Sequence, residues 1–289
     1  MGARINRIGF RGRLVTAMVA LVAMVSLLIG ALMMVYLFED EKRLALEQLT
    51  IAERLTTEVI ERRTDLELSR LNVVVRDFGF RSAIASRDPA TLSSALENHS
   101  GRVDADFALL LDSQGQLLAS TLTQTIPAIT ETQLDKARKN GVDRSLLTIN
   151  QRGYEMLVIP LEAPGLRAWL VAGFELDQEL ADVIARLSGS SVIFRASPNG
   201  SDGFTNFAAS SDIDGAGNLS LNMPTSSQNF IKSDRYFNRT LSLGTFEQSS
   251  FEAVLLTSRE ASLQNYYDRA LEIALLVTVI MALAILLAL

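Results

Sequence analysis

The chain has 289 residues, 48% of them apolar and 21% charged, and its formal net charge is −6. This length allows one or two compact domains, and the ordinary apolar content excludes a chain that is disordered throughout. With no cysteine and a single histidine, a metal centre built from His or Cys ligands is excluded, and we expect no metal and no cofactor. The acidic balance argues against a nucleic-acid partner, whose phosphates need Lys and Arg.

Residues 14–38 contain no charged side chain. As a helix with a rise of about 1.5 Å per residue they would extend roughly 37 Å, which is enough to cross a hydrocarbon core of about 30 Å. A cleaved signal peptide has a shorter apolar region that ends in small residues, whereas this run ends in large ones. The pattern therefore predicts an uncleaved membrane anchor.

A second uncharged run covers residues 273–289, with Tyr266 and Tyr267 just before it. Its length is at the short end for a membrane span, and aromatic residues are enriched at the membrane interface. Because no charged residues follow the run, we expect the chain to be the front part of a longer protein or a gene remnant.

Four arginines and no acidic residue precede the first apolar run. The excess of positive charge on the cytoplasmic side of membrane proteins places the N-terminus in the cytoplasm and residues 39–268 outside it, with the bacterial inner membrane as the expected location. The predicted organisation is a cytoplasmic N-terminus at 1–13, a transmembrane helix at 14–38, a long exported helix at 39–79, a membrane-distal module at 80–176, a connecting helix at 177–188, a membrane-proximal module at 189–258 and a helix at 259–289 that runs into a second span.

The exported region begins with a helical pattern that contains no Gly or Pro before Gly79, where we expect a break. Its apolar residues recur at imperfect helical spacing, which fits either packing on the exported domain or a coiled-coil dimer; they are Leu44, Ile51, Leu55, Leu66 and Val73. Two short helices are predicted at 82–86 and 91–97. His99 follows them and is interpreted as a surface loop residue, with Asp104 and Asp106 as its nearest acidic residues in sequence.

Five strands are predicted around one further helix in the distal module. A buried strand at 107–111 is joined by a hairpin turn at 112–115 to a strand at 116–121. Residues 130–140 form the helix, capped by Thr130, and strands follow at 145–150, 154–160 and 167–174. A helix at 177–187 leads to four weaker strands, at 191–195, 206–210, 236–243 and 251–257, and the Ser-, Asn- and Gly-rich residues 196–233 are predicted to be loop. The fold class is α+β, with the long helix packed on two antiparallel sheets in tandem.

Three segments of this pattern resemble the extracytoplasmic Cache (PAS-like) sensor regions of bacterial transmembrane signalling proteins. They are FRSAIASRDPATLSSALEN at 80–98, RVDADFALLLDSQGQLLAS at 102–120 and WLVAGFELDQELADVIARL at 169–187. The resemblance implies a ligand-sensing input domain whose output domain, such as a cyclic-di-GMP (GGDEF/EAL) enzyme, a kinase or a chemotaxis helix, is missing from this chain. The Trp-Tyr pair of the amino-acid-sensing branch is absent, which argues against an amino-acid ligand.

Four residues are predicted to bind a small-molecule ligand. Alternate strand residues share a face, so Trp169 and Glu175 point to one side of the sheet, and Tyr154 lies on the corresponding side of its own strand. Arg152, in the hairpin turn before Tyr154, is placed to meet an anionic group. The resemblance implies an acidic residue near Glu175, with Asp177 as the alternative, although Asp177 equally fits a helix cap. Core packing is the alternative role of Trp169 and Tyr154.

The leading functional hypothesis is a membrane-anchored sensor that forms a homodimer, contacts the lipid bilayer and binds an unknown small molecule. The alternative is a structural envelope or assembly protein that uses its exported domain for protein contacts. An exported hydrolase is disfavoured because a single histidine provides no set of nucleophile, base and acid. We therefore expect that the chain is not an enzyme.

Overall fold

A computed structural model of the chain describes residues 10–123, 129–163, 166–197, 203–213, 236–246, 249–258, 268, 271–280 and 282–283. Its helices are α1 Phe10–Arg76, α2 Phe78–Ser86, α3 Pro89–Arg102, α4 Glu131–Asn140 and α5 Gln178–Ser188. Its strands are β1 Phe107–Asp112, β2 Leu117–Ser120, β3 Asp143–Ile149, β4 Arg152–Ala163, β5 Leu166–Glu175, β6 Ser191–Ser197, β7 Thr205–Ala209, β8 Tyr236–Phe246 and β9 Ser249–Ser258.

The chain divides into two compact units. The first contains residues 1–47, 233–237 and 258–289, where residues 271–280 are helical and a Cβ built on Gly30 would lie 3.8 Å from Val277 Cγ2. None of the helices in the described part of the chain combines the length and the apolar character that crossing a membrane requires. Much of the predicted loop at 196–233 and of the predicted helix at 259–289 lies outside the described residues.

The second unit, residues 48–232 and 238–257, contains both sheets. The first sheet has five strands in the order β2-β1-β5-β4-β3, and the second has four in the order β7-β6-β9-β8. The observed pairings are antiparallel. The α+β class, with a long N-terminal helix and two antiparallel sheets, is thereby confirmed.

The first sheet carries an apolar core on each face because its strands alternate. The core between this sheet and α1, α2 and α3 includes, from the helices, Leu71, Val74, Phe80 and Leu96 and, from the strands, Leu110, Leu157, Ile159, Leu170 and Phe174. The opposite face packs against α4 and includes Phe107, Leu109, Leu111, Leu134, Ala137, Leu147, Met156, Val158, Trp169 and Val171. Trp169 and Tyr154 lie on the same side of the sheet, as predicted; this is the side away from α1, and α4 packs against it.

Helix α1 packs through a different set of residues from the apolar stripe read in the sequence. Its buried positions recur every three or four residues, as expected for one helical face; they include Leu49, Ala52, Thr56, Ile60, Thr64, Glu67, Leu71 and Val74. Four of the five stripe residues, Leu44, Ile51, Leu66 and Val73, are exposed, Val73 by 70%. Two of the buried side chains are threonines and one is a glutamate, so hydropathy alone did not reveal this face.

Local capping explains where the short helices begin. Asp77, rather than Gly79, marks the break after α1, because its carboxylate accepts a hydrogen bond from the Phe80 amide at 2.8 Å. Thr130 and Gln133 form a reciprocal capping box at the start of α4. In the predicted hairpin after β1, the Asp112 carboxylate accepts from the amides of Gln114 and Gln116, both at 2.8 Å.

Candidate functional site

Three of the four predicted ligand-binding residues meet at one end of the first sheet. The turn before β4 consists of Asn150 and Gln151, both with positive φ, so Arg152 is the first residue of the strand rather than part of the turn. Tyr154 pairs directly with Glu175, the last residue of β5. The Arg152 Nη1 atom lies 3.1 Å from Glu175 Oε2, which joins the two strand ends by an ion pair.

The cluster combines an exposed cation with a less exposed anion and a half-buried phenol. The Arg152 side chain is 64% exposed, whereas that of Glu175 is 20% exposed. The Glu175 carboxylate raises the pKa of Arg152, so the guanidinium stays charged. Burial, together with Glu175, raises the pKa of Tyr154, so the phenol stays protonated and can donate a hydrogen bond. The Tyr154 ring contacts Phe107 edge to face, with centroids 5.5 Å apart.

The main chain of Glu175 is held from two further elements. Its amide donates to Asp106 Oδ2 at 2.6 Å, just before β1. Its carbonyl accepts from Arg63 Nη2 of α1 at 2.8 Å. The candidate site is therefore connected to the long helix by one hydrogen bond to the backbone of a site residue.

The second sheet touches the same end of β4 through Gly153. A Cβ built on Gly153 would lie 2.3 Å from the ring of Phe207 in β7, so the ring packs directly on the glycine backbone. Phe207 stacks in turn on Phe194 of β6, with ring centroids 6.2 Å apart. Gly153, which lies between Arg152 and Tyr154, thus forms part of the contact between the two sheets.

Trp169 does not join this cluster. It lies six residues before Glu175 on β5, which corresponds to roughly 20 Å along a strand. It is 4% exposed, and the Arg138 guanidinium of α4 lies 5.4 Å from its ring centroid. Its Nε1 atom is buried and has no acceptor among the described residues. Asp177, the alternative to Glu175, caps α5 by accepting from the Leu180 amide at 2.9 Å.

His99 is not in a surface loop, as the sequence pattern suggested, but in the last turn of α3. Its ring packs against Phe80 with centroids 4.9 Å apart, and Nε2 lies 3.8 Å from Asp77 Oδ1 rather than near Asp104 or Asp106. Burial lowers the pKa of His99, and the Asp77 carboxylate opposes that change. The imidazole borders a surface groove of about 550 Å³ along α3, lined also by Asp77, Asn98 and Arg102.

Sequence reasoning missed a buried ionic network between α1 and the first sheet. Glu67 of α1 pairs with Arg63 at 2.6 Å, and Glu155 of β4 pairs with Arg144 of β3. Thr64 Oγ1 donates to Glu155 Oε1 at 2.8 Å. The available signal was the position of Glu155, which shares its strand face with the core residues Leu157, Ile159 and Leu161.

The fold defines a class of protein: an α+β region with two antiparallel sheets and one long N-terminal helix. Residues 42–221 match the family model dCache_3, described as a double sensory domain of two-component sensor kinases. The chain belongs to this family, and the resemblance to Cache sensor regions is confirmed. A sensory family agrees with the expectation that the chain is not an enzyme.

Several solved structures are similar to this chain at low sequence identity. The periplasmic domain of Vibrio cholerae LuxQ is 14% identical, with 74% of this chain and 100% of that chain covered and a TM-score of 0.48. The sensory domain of the Campylobacter jejuni chemoreceptor Tlp3 with isoleucine bound is 11% identical, with coverages of 79% and 97% and a TM-score of 0.44. The sensor domain of the V. cholerae histidine kinase DctB is 12% identical, with coverages of 76% and 99% and a TM-score of 0.44. No curated protein matches the chain.

Proposed function

We propose that this chain is the membrane-anchored, extracytoplasmic ligand-sensing input region of a bacterial signal-transduction protein, which passes its signal to an output domain outside these 289 residues. The family supports the sensory role. The uncharged runs at 14–38 and 273–289 and the arginines before the first run support the anchor and its orientation. A cyclic-di-GMP enzyme is one output that the Cache resemblance implies.

The proposed ligand site is the cluster of Arg152, Tyr154 and Glu175. The observation that carries it is the ion pair between the ends of β4 and β5, beside a phenol that can donate a hydrogen bond. A small molecule with an anionic group would compete with Glu175 for Arg152, and a donor group on the same molecule would satisfy the released carboxylate. Trp169 is not included in this proposed site, because it is buried in the core and lies too far along β5 to touch the same small ligand.

Signalling requires that the ligand bind two arrangements of the domain with different affinity. Release of Glu175 from Arg152 would alter the end of β5. The carbonyl of Glu175 itself accepts a hydrogen bond from Arg63 of α1. Helix α1, which carries Arg63, is one uninterrupted helix from Phe10 to Arg76. The exposed apolar residues Ile51, Leu66 and Val73 support a homodimer formed along α1, which sedimentation of the purified chain would test.

The ligand site predicts the outcome of a thermal-shift screen of small molecules on the purified full chain. A true ligand at a hundredfold excess over its dissociation constant should stabilise the wild type by about 2.7 kcal/mol. Arg152→Ala should lose this stabilisation because it removes the guanidinium that would bind the anionic group of the ligand. Arg62→Ala is the matched control, since Arg62 is an exposed arginine of α1 paired only with Glu58 among the contacts seen. Equal stabilisation of Arg152→Ala and the control would place the site elsewhere.

The orientation predicts the outcome of reporter fusions. A reporter that is active only outside the cytoplasm should be active when fused within the region between the two apolar runs, for example after Ser201, because the N-terminal arginines retain their end of the first run in the cytoplasm. Replacing Arg4, Arg7, Arg11 and Arg13 by glutamine should reduce that activity. A reporter that is silent at this position, while a cytoplasmic reporter works there, would refute the proposed topology.

A further inference from the structure

Two buried glutamates face each other across the contact between α1 and the first sheet. Glu67 of α1 is 5% exposed and Glu155 of β4 is 1% exposed. The charged groups around this contact in the described structure lie on three elements. Arg63 and Glu67 are on α1, Arg144 is on β3 and Glu155 is on β4. The network therefore has two buried acids and two bases, whose side chains are partly exposed, at 26% for Arg63 and 38% for Arg144.

The hydrogen bonds of this network are incomplete. Arg63 donates to Glu67 Oε1, and it also donates to the Glu175 carbonyl. Arg144 and Thr64 both reach the same oxygen of Glu155, Oε1. Glu67 Oε2 and Glu155 Oε2 are both buried and have no partner in the described part of the chain. A buried carboxylate oxygen without a donor costs free energy, and a proton added to the pair removes one negative charge and supplies one donor.

We propose that Glu67 and Glu155 form a proton-binding site that makes the packing of α1 on the first sheet respond to the pH of the surrounding medium. With one proton on the pair, the buried charges on α1 and β4 are partly neutralised and the helix packs closely on the sheet. With the proton lost, two carboxylates occupy the same apolar contact and repel each other, which weakens it. This proposal does not depend on the Arg152 ligand site.

The direction of the pH effect follows from the environment of Glu67. Burial raises the pKa of Glu67 from 4.5 to about 7, the Glu155 carboxylate adds to the rise, and Arg63 opposes it. Burial also raises the pKa of Glu155. The folded chain keeps a proton on Glu67 that the unfolded chain loses near 4.5, so this stabilisation is fully present below pH 4.5 and is lost as the pH rises through about 7.

The test compares the unfolding temperature of the full chain and two variants between about pH 5 and about pH 8. Glu67→Gln imitates the protonated acid and cannot titrate, so the wild type should lose stability relative to this variant as the pH rises through that range. Glu58→Gln, an exposed position on α1, is the matched control and should keep the wild-type pH dependence. The measurement uses no ligand, which separates failure of the proton site from failure of the ligand site.

A second measurement keeps the proposal testable if Glu67→Gln fails to fold. At about pH 6, infrared difference spectra of the wild type should contain the carbonyl stretch of a protonated buried carboxyl, and this band should disappear at higher pH. The band should be retained in Glu58→Gln and lost or shifted in Glu67→Gln. Absence of the band in the wild type, or a constant difference in unfolding temperature between wild type and Glu67→Gln across the pH range, would overturn the proposal.

Discussion

Replacing Trp169 by alanine should lower the free energy of unfolding by about 3–5 kcal/mol, the usual cost of removing a large buried aromatic side chain. The indole lies in the core between the first sheet and α4, and its loss would leave a cavity there. The Arg138 guanidinium would also lose the ring on which it lies. Urea unfolding of the purified chain, followed by circular dichroism, measures the effect without relying on fluorescence of this single tryptophan.

Trp169→Phe is the matched control for the indole. It keeps most of the apolar volume and removes an Nε1 atom that has no acceptor among the described residues, so its cost should be much smaller than that of the alanine variant. A loss below about 1 kcal/mol for Trp169→Ala would contradict the core assignment, because such small changes are typical of surface positions. Ligand-binding assays on Trp169→Ala therefore need its stability measured alongside.

The substitution Gly173→Ala should destabilise the chain by about 1–3 kcal/mol, as overpacking of a filled core does. Gly173 is paired with Phe107 across β1 and β5, and the ring lies over the glycine. An alanine Cβ at this position would be 1.9 Å from Phe107 Cε1, so the buried ring would have to move. A destabilising effect of Gly173→Ala would be informative, because alanine in an open strand position is neutral or stabilising compared with glycine.

A double-mutant cycle with Phe107→Leu tests this explanation. The smaller side chain leaves room for the new methyl group, so Gly173→Ala should cost less in that background, with an interaction energy of about 0.5–3 kcal/mol. Additive effects of the two substitutions would show that the ring and the glycine do not compete for space. Displacement of Phe107 should also disturb Tyr154, whose ring it contacts, and thereby the candidate ligand site.

Much of the fold follows from local patterns that the sequence displays directly. The alternation in β4 and β5 separates two sheet faces, and both faces are as predicted, because side-chain direction in a strand depends only on residue parity. The caps at Asp177 and Thr130 and the turn at Asp112 depend on hydrogen bonds within a few residues, and they too are visible without a partner element. The turn before β4 consists of Asn150 and Gln151 rather than the predicted residues 151–153, because the positive φ of Gln151 is unusual for its residue type.

The candidate site was predictable only in part. The sequence placed Tyr154 and Glu175 on one face of their strands, but their direct opposition depends on the register of β4 against β5. Arg152 and Glu175 are 23 residues apart, and only that register brings the guanidinium to the carboxylate. The prediction that Trp169 binds the same ligand did not account for the six residues of β5 that separate Trp169 from Glu175.

By itself, the sequence determined the α+β class, the order of the elements and the side-chain directions in β4 and β5, since these depend on periodicity, capping and turn residues that act over short distances. The sensory family followed from the resemblance of three segments to Cache sensor regions. The tertiary structure alone decided which face of α1 is buried, where His99 lies and that Glu67 meets Glu155. Those features arise from contacts between residues far apart in the chain, and the buried face of α1 mixes apolar residues with Thr56, Thr64 and Glu67, which weakens its hydrophobic periodicity. Each glutamate has its arginine within its own layer, Arg63 on α1 for Glu67 and Arg144 on β3 for Glu155, but the two carboxyl groups are buried together only when the helix packs on the sheet.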